Sequence, residues 1–122
     1  MGELILIVED NERNMKLIRD VLGAKGYATL EAETAEEGVE LARSRRPALV
    51  LMDVQLPGMD GVAAVAALRD DDRTRAIPVL ALTAQAMRGD RERFLAAGFD
   101  GYLAKPIDVV ELLATVEEHC SA

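Results

Sequence analysis

Short apolar runs alternate with longer amphipathic stretches along the whole chain. Leu4-Ile5-Leu6-Ile7-Val8 is an unbroken β-favouring run, the pattern of a strand covered on both faces. Beyond it Met15, Ile18, Val21 and Leu22 recur at helical spacing, with Asp10 or Asn11 as N-cap and Gly26 as the stop. Residues 27–32 make a second, more polar strand that suits a sheet edge. Thr34 and Glu37 form a capping box for a helix carrying Val39, Leu41 and Ala42, and Pro47 closes the connection after it. Residues 48–52 are the next buried strand, with Asp53 at its end. The turn-rich Leu56-Pro57-Gly58-Met59-Asp60-Gly61 then leads to a helix marked by Val62, Val65 and Leu68. Residues 78–82 predict a fourth strand ending at Thr83, followed by a helix to about Ala97 that stops at Gly98. A fifth strand covers 99–104. Asp108 caps the last helix, whose apolar stripe is Val109, Leu112, Leu113 and Val116. The charge-dense stretch 69–75 reads as a solvated connection.

Five strand–helix units predict an α/β fold: a five-stranded parallel sheet with helices on both faces and right-handed crossovers. The small doubly wound solution is the flavodoxin-like order 2-1-3-4-5, as one domain over residues 1–122. That order sets strands 1 and 3 side by side at the topological switch point, where ligands bind beyond the carboxyl ends of the strands. The residues that close each strand are therefore the ones to inspect.

Composition narrows the function. Half the residues are hydrophobic, enough for a core without staples, but aromatics are only 3%, so aliphatic side chains must build it. A net charge of −8 repels phosphate backbones and argues against direct nucleic-acid binding. Cys120 is the single cysteine, which precludes an internal disulfide and fits a reducing compartment. No apolar run approaches the ~18 residues of a membrane span, and Met1-Gly2-Glu3 has no basic signal-peptide start. The expectation is a cytoplasmic protein with no membrane contact.

The chemistry lies at the strand ends. Strand 1 closes with Glu9-Asp10, strand 3 with Asp53, strand 4 with Thr83 and strand 5 with Lys105. Three carboxylates thus meet at the switch point. Two bare charges ~4 Å apart cost roughly 4 kcal/mol at an effective dielectric near 20. A hard divalent cation offsets that cost, and oxygen ligands with open positions suit Mg²⁺, with Mn²⁺ as an alternative. Lys105 supplies a charge and Thr83 a hydroxyl for phosphoryl oxygens. A carboxylate nucleophile, a metal, a lysine and a hydroxyl make a phosphoryl-transfer site, with Asp53 as acceptor and Glu9 and Asp10 as metal holders.

At these residues the chain resembles the receiver domain of two-component response regulators. The motifs are Val8-Glu9-Asp10-Asn11, Leu51-Met52-Asp53 with the loop through Gly61, Leu82-Thr83-Ala84 and Leu103-Ala104-Lys105-Pro106, in order and across essentially the whole chain. The resemblance implies that Asp53 is phosphorylated by a histidine kinase or a histidine phosphotransfer protein. It implies that Asp10, Asp53 and the Gln55 main-chain carbonyl ligate Mg²⁺, with Glu9 acting largely through water. Thr83 and Lys105 would engage the phosphoryl group, and Tyr102 would be the aromatic switch. The Lys105-Pro106 bond would be cis, and Gln55 and Gln85 would tune hydrolysis of the acyl phosphate. Output would be a downstream protein target bound through the face of helix 4, strand 5 and helix 5. Glu9 departs from the commoner first aspartate. The chain reads either as a stand-alone regulator or as a receiver belonging to a longer protein.

Other readings compete. A Mg²⁺-dependent phosphatase with an aspartyl nucleophile needs a second acid where this chain has Gln55. A flavodoxin-type electron carrier would meet repulsion between FMN phosphate and Glu9-Asp10-Asn11-Glu12. A degenerate receiver acting only as a binding module would not need Asp10, Asp53, Thr83 and Lys105 intact. His119 and Cys120 read as surface residues, Arg88-Gly89-Asp90 as a chance tripeptide, and Tyr102 taken alone as core packing.

Overall fold

The computed structural model describes residues 2–56, 59–84 and 90–120, so Pro57-Gly58 and the segment with Gln85 and Arg88-Gly89 lie outside the described residues. Among the described residues ten elements follow in strict alternation: β1 (Leu4–Val8), α1 (Glu12–Ala24), β2 (Ala28–Ala32), α2 (Ala35–Arg45), β3 (Leu49–Asp53), α3 (Gly61–Arg69), β4 (Val79–Thr83), α4 (Asp90–Ala97), β5 (Gly101–Ala104) and α5 (Val109–Cys120). The strands form one sheet in the order β2-β1-β3-β4-β5, and every pairing is parallel. The predicted architecture and strand order are those observed.

Burial explains the sequence pattern. Every residue of β3 and β4 is buried, as continuous apolar runs require, whereas edge strand β2 keeps exposed positions. The sheet separates two apolar layers. Leu6, Val8, Val50, Met52 and Val79 face α2, α3 and α4, where Phe94 and Phe99 also pack. Ile5, Ile7, Leu49, Leu51, Leu80 and Leu82 face α1 and α5 through Ile18, Leu22, Leu112 and Val116.

The helix starts follow side-chain capping. Asn11, not Asp10, caps α1, its side chain accepting the Asn14 amide at 3.1 Å. Thr34 Oγ1 accepts the Glu37 amide at 3.1 Å, while the Glu37 carboxylate reaches back to the Glu33 amide at 3.0 Å. Asp60 caps α3, and Asp108 accepts the Val110 and Glu111 amides.

Four local expectations change. With α3 beginning at Gly61, its inward face is Gly61, Ala64, Val65 and Leu68, and Val62 is left 43% exposed. Val109 likewise lies outside the α5 stripe, which is built on Leu112 and Val116. His119 and Cys120 are half-buried rather than surface residues, and His119 Nδ1 lies 2.9 Å from the Thr115 carbonyl. The stretch 69–75 is solvated only in part: Asp70, Asp72, Arg73 and Arg75 are exposed, but two of its residues are anchored. Thr74 is fully buried, its hydroxyl donating to the Leu68 carbonyl at 2.7 Å, and Arg69 is bonded on several sides.

Gly61 sets the approach of α3 to the end of β3. A Cβ there would stand 2.6 Å from the Asp53 carbonyl oxygen and 2.7 Å from Val54 Cα, both backbone atoms that cannot swing aside. Gly61→Ala is expected to push α3 off the loop after Asp53 and to cost about 1–3 kcal/mol, read from urea unfolding. An unchanged midpoint would show that the loop yields freely.

Candidate functional site

Parallel pairing brings the strand ends to one rim. Asp53 pairs in register with Leu82, so Thr83 lies one residue beyond it on the next strand. The Val54 amide donates to the Leu82 carbonyl (3.1 Å) and the Lys105 amide to the Thr83 carbonyl (2.8 Å), carrying the register past the strands. On the other side the Glu9 amide donates to the Ala32 carbonyl at 3.0 Å. Backbone bonds therefore fix Glu9, Asp53, Thr83 and Lys105 relative to one another before any side chain acts.

The side chains converge. Lys105 Nζ lies 2.8 Å from Asp53 Oδ2 and 2.7 Å from Glu9 Oε1. Asp53 Oδ1 accepts the Gln55 amide at 2.8 Å, and Glu9 Oε2 accepts the Asn11 amide at 3.1 Å. Glu9, Asp53 and Thr83 are almost wholly buried, whereas Asp10 is exposed. Glu9, Asp10 and Asp53 each offer a carboxylate oxygen within 4.8 Å of the others, close enough to share a divalent ion. Glu9 Oε1 also suits a cation. It is buried, and although Lys105 Nζ is close, the contact is out of line for a hydrogen bond.

The electrostatics separate the two buried acids. Burial pushes the Glu9 carboxyl up, and the adjoining Asp53 carboxylate adds to it, while Lys105 and the Asn11 amide pull the other way. Burial also resists charge on Asp53, but its contacts with Glu9, Lys105 and the Gln55 amide outweigh that and hold its carboxyl below the usual range. Lys105 loses solvation yet is raised, because Asp53 and Glu9 favour its charged form. Of the two buried acids, Asp53 is the one whose charged form its neighbours favour, which suits a nucleophile.

Of the predicted residues, Glu9, Asp10, Asp53 and Lys105 come together, and Thr83 closes the neighbouring strand. Gln55 stands at the rim with an exposed side chain, and Gln85 lies outside the described residues. Tyr102 is half-buried on β5, its ring 5.8 Å from that of Phe94. The Lys105-Pro106 bond is cis. Sequence reasoning saw Asn11 only as a possible cap. Its second task, orienting Glu9 through the main-chain amide, leaves no mark in residue type. Arg69 was missed for a similar reason, since its acceptors are mostly main-chain carbonyls.

A doubly wound parallel sheet with an acid cluster and a lysine at its switch point defines a phosphoacceptor signalling domain. Residues 5–117 match the family model of the response regulator receiver domain, and the chain belongs to that family. It is 46% identical over 119 residues to the polar-differentiation response regulator DivK of Brucella anthropi, covering 98% of this chain and 97% of that one. Among solved structures it resembles the receiver domain of sensor histidine kinase PA1611 from Pseudomonas aeruginosa PAO1, described with a magnesium ion coordinated in the active site cleft. Identity there is 37%, the TM-score is 0.91, and all of both chains is covered. The signal receiver domain of a signal transduction histidine kinase from Syntrophus aciditrophicus is 34% identical with a TM-score of 0.88, over 98% of this chain and 90% of that one. Among the described residues no helix is long and apolar enough to cross a membrane.

Proposed function

We propose that Asp53 accepts a phosphoryl group from a phosphohistidine on a kinase or phosphotransfer protein. The observation that carries this reading is a buried carboxylate at the switch point, held by Lys105 Nζ and the Gln55 amide beside two further acids. An Asp53 oxygen attacks phosphorus, the P–N bond breaks, and its electron pair stays on the imidazole. Asp10, Asp53 and the Gln55 main-chain carbonyl would hold Mg²⁺, or Mn²⁺ in its place, with Glu9 assisting through water. When bound, the ion supplies neutralisation of charge on the phosphoryl oxygens. Lys105, already at the Asp53 carboxylate, would pair with one of those oxygens, and Thr83 would offer its hydroxyl to another.

Phosphorylation adds charge and acceptor oxygens at one end of β4 and β5. Movement of Thr83 and Lys105 toward them would alter the packing of Tyr102 on Phe94 and so the face of α4, β5 and α5 presented to a downstream protein. Gln55, exposed beside the site, and Gln85 would set the access of water to the acyl phosphate. The whole chain, 1–122, acts as one such domain, in the cytoplasm. Incubation with acetyl phosphate and Mg²⁺, followed by intact mass, tests the reading. A single phosphoryl adduct that requires the metal is expected, and the absence of any adduct would defeat it.

A further inference from the structure

Arg69, the last residue of α3, sits at the end of the sheet remote from Asp53. Its Nε donates to the Gly98 carbonyl (3.0 Å), Nη1 to the carbonyls of Arg75 (2.9 Å) and Ile77 (2.6 Å), and Nη2 to Asp100 Oδ2 (2.7 Å). The same Asp100 oxygen accepts the Val79 amide at 2.8 Å, and the Asp100 amide donates to the Val79 carbonyl at 2.8 Å. One planar fork thus joins the ends of α3 and α4 to the entries of β4 and β5. Only a guanidinium carries enough fixed donors for this, since a lysine ammonium has three and no planar geometry. Gly98 is seated against the fork in a left-handed conformation (φ +114°), and a Cβ there would stand 3.4 Å from Arg69 Cγ. Phe94 and Phe99 pack edge to face beside it at 5.8 Å, and Phe94 continues the contact to Tyr102.

β4 and β5 therefore begin at this clamp and end at Thr83 and Lys105. α4 is fixed at its C-terminal end by Arg69 and connects at its other end, through residues 84–89, to Thr83. We propose that the Arg69–Asp100 clamp is the pivot of the switch. It holds the Gly98 end of α4 on α3, β4 and β5, so that displacement at Thr83 turns the helix about that end and reaches Tyr102 instead of dissipating as sliding. Arg69 touches no reacting atom and is a positioning residue. The inference rests on the reading of Asp53 and Thr83 given above.

Hydrogen exchange of the full chain, read by mass spectrometry on peptides over 94–100, tests it in Arg69→Ala, Arg69→Lys and Asp100→Asn. Each is compared without ligand and with Mg²⁺ and beryllofluoride, which stands in for the phosphoryl group on Asp53. Without ligand, Arg69→Ala should exchange at least about tenfold faster over 94–100 while β1 and β3 stay protected; Arg69→Lys should be intermediate. With beryllofluoride the wild-type protein should keep 94–100 protected, whereas Arg69→Ala should lose protection further and Tyr102 should respond less. Adduct yield with acetyl phosphate should stay within about twofold of wild type, because the acceptor chemistry is elsewhere. Unchanged exchange at 94–100 would overturn the pivot, and so would acceleration spread equally over β1 and β3, which would make Arg69 a general stabiliser. Should Arg69→Ala fail to fold, Arg69→Lys and Asp100→Asn carry the same comparison. A wild-type protein that binds no beryllofluoride would defeat the site reading and the pivot with it. The ligand-free arm would still report separately whether the clamp holds α4.

Discussion

Asp53→Asn is expected to take up no phosphoryl group from acetyl phosphate and Mg²⁺ while folding as the parent does. The amide keeps the size of the carboxylate, and its one oxygen can still accept the Gln55 amide at the Oδ1 position, while its NH2 takes the place of Oδ2 and gives up the bond from Lys105 Nζ, which keeps its contact with Glu9. What disappears is the anionic oxygen that forms the bond to phosphorus. Folding should not suffer, because the substitution removes one of two buried acids that meet beside a single ammonium. An amide N–H can donate to Glu9 where a carboxylate repelled it, so stability without metal should stay level or rise by about 1 kcal/mol in urea unfolding. Adduct in the variant at the parental yield would place the acceptor elsewhere. Asp10 and Asp60 would then be the acids to substitute next, Asp60 with the knowledge that it also caps α3.

The sequence displayed the fold because its signals were local and mutually consistent. Unbroken apolar runs at β1, β3 and β4, caps at Thr34 and Asp108, and five regular alternations leave one small topology. The site was legible for the same reason: its side chains close the strands, and parallel register carries strand ends to one rim. What stayed hidden depended on helix phase or on main-chain acceptors. Val62 reads as apolar core in any list of spacings, yet the Asp60 cap starts α3 at Gly61 and turns Val62 outward. Arg69 reads as one charge among many between residues 69 and 75. Its importance comes from the carbonyls of Gly98, Arg75 and Ile77, which no side-chain pattern reveals. The raised Glu9 and lowered Asp53 carboxyls follow from burial and contacts made only on folding, although the crowding of acids at one rim was foreseeable.

Lys105→Met should show that an ammonium and a metal ion compete for the same oxygens. Lys105 Nζ is within 2.8 Å of Asp53 and 2.7 Å of Glu9, and methionine fills the stem without the charge. Two buried carboxylates then face each other with their ion-pair partner gone. Removing one partner of a fully buried pair costs about 3–5 kcal/mol. Here Glu9 is already pushed toward its protonated form, and the Lys105 side chain keeps 16% exposure, so the loss is smaller. The expected cost without metal is on the order of 2 kcal/mol, a fall in Tm of roughly 6–10 °C. Millimolar Mg²⁺ should restore most of it, because an ion at the cluster of Glu9, Asp10 and Asp53 replaces the missing positive charge. In the parent the same ion must displace or share the ammonium's oxygens, so its stabilisation should be the smaller of the two. Melting curves of both proteins with and without Mg²⁺ decide the matter. Equal metal shifts in parent and variant would mean that Lys105 and the ion do not share these carboxylates, and no shift in either would remove the metal from the site.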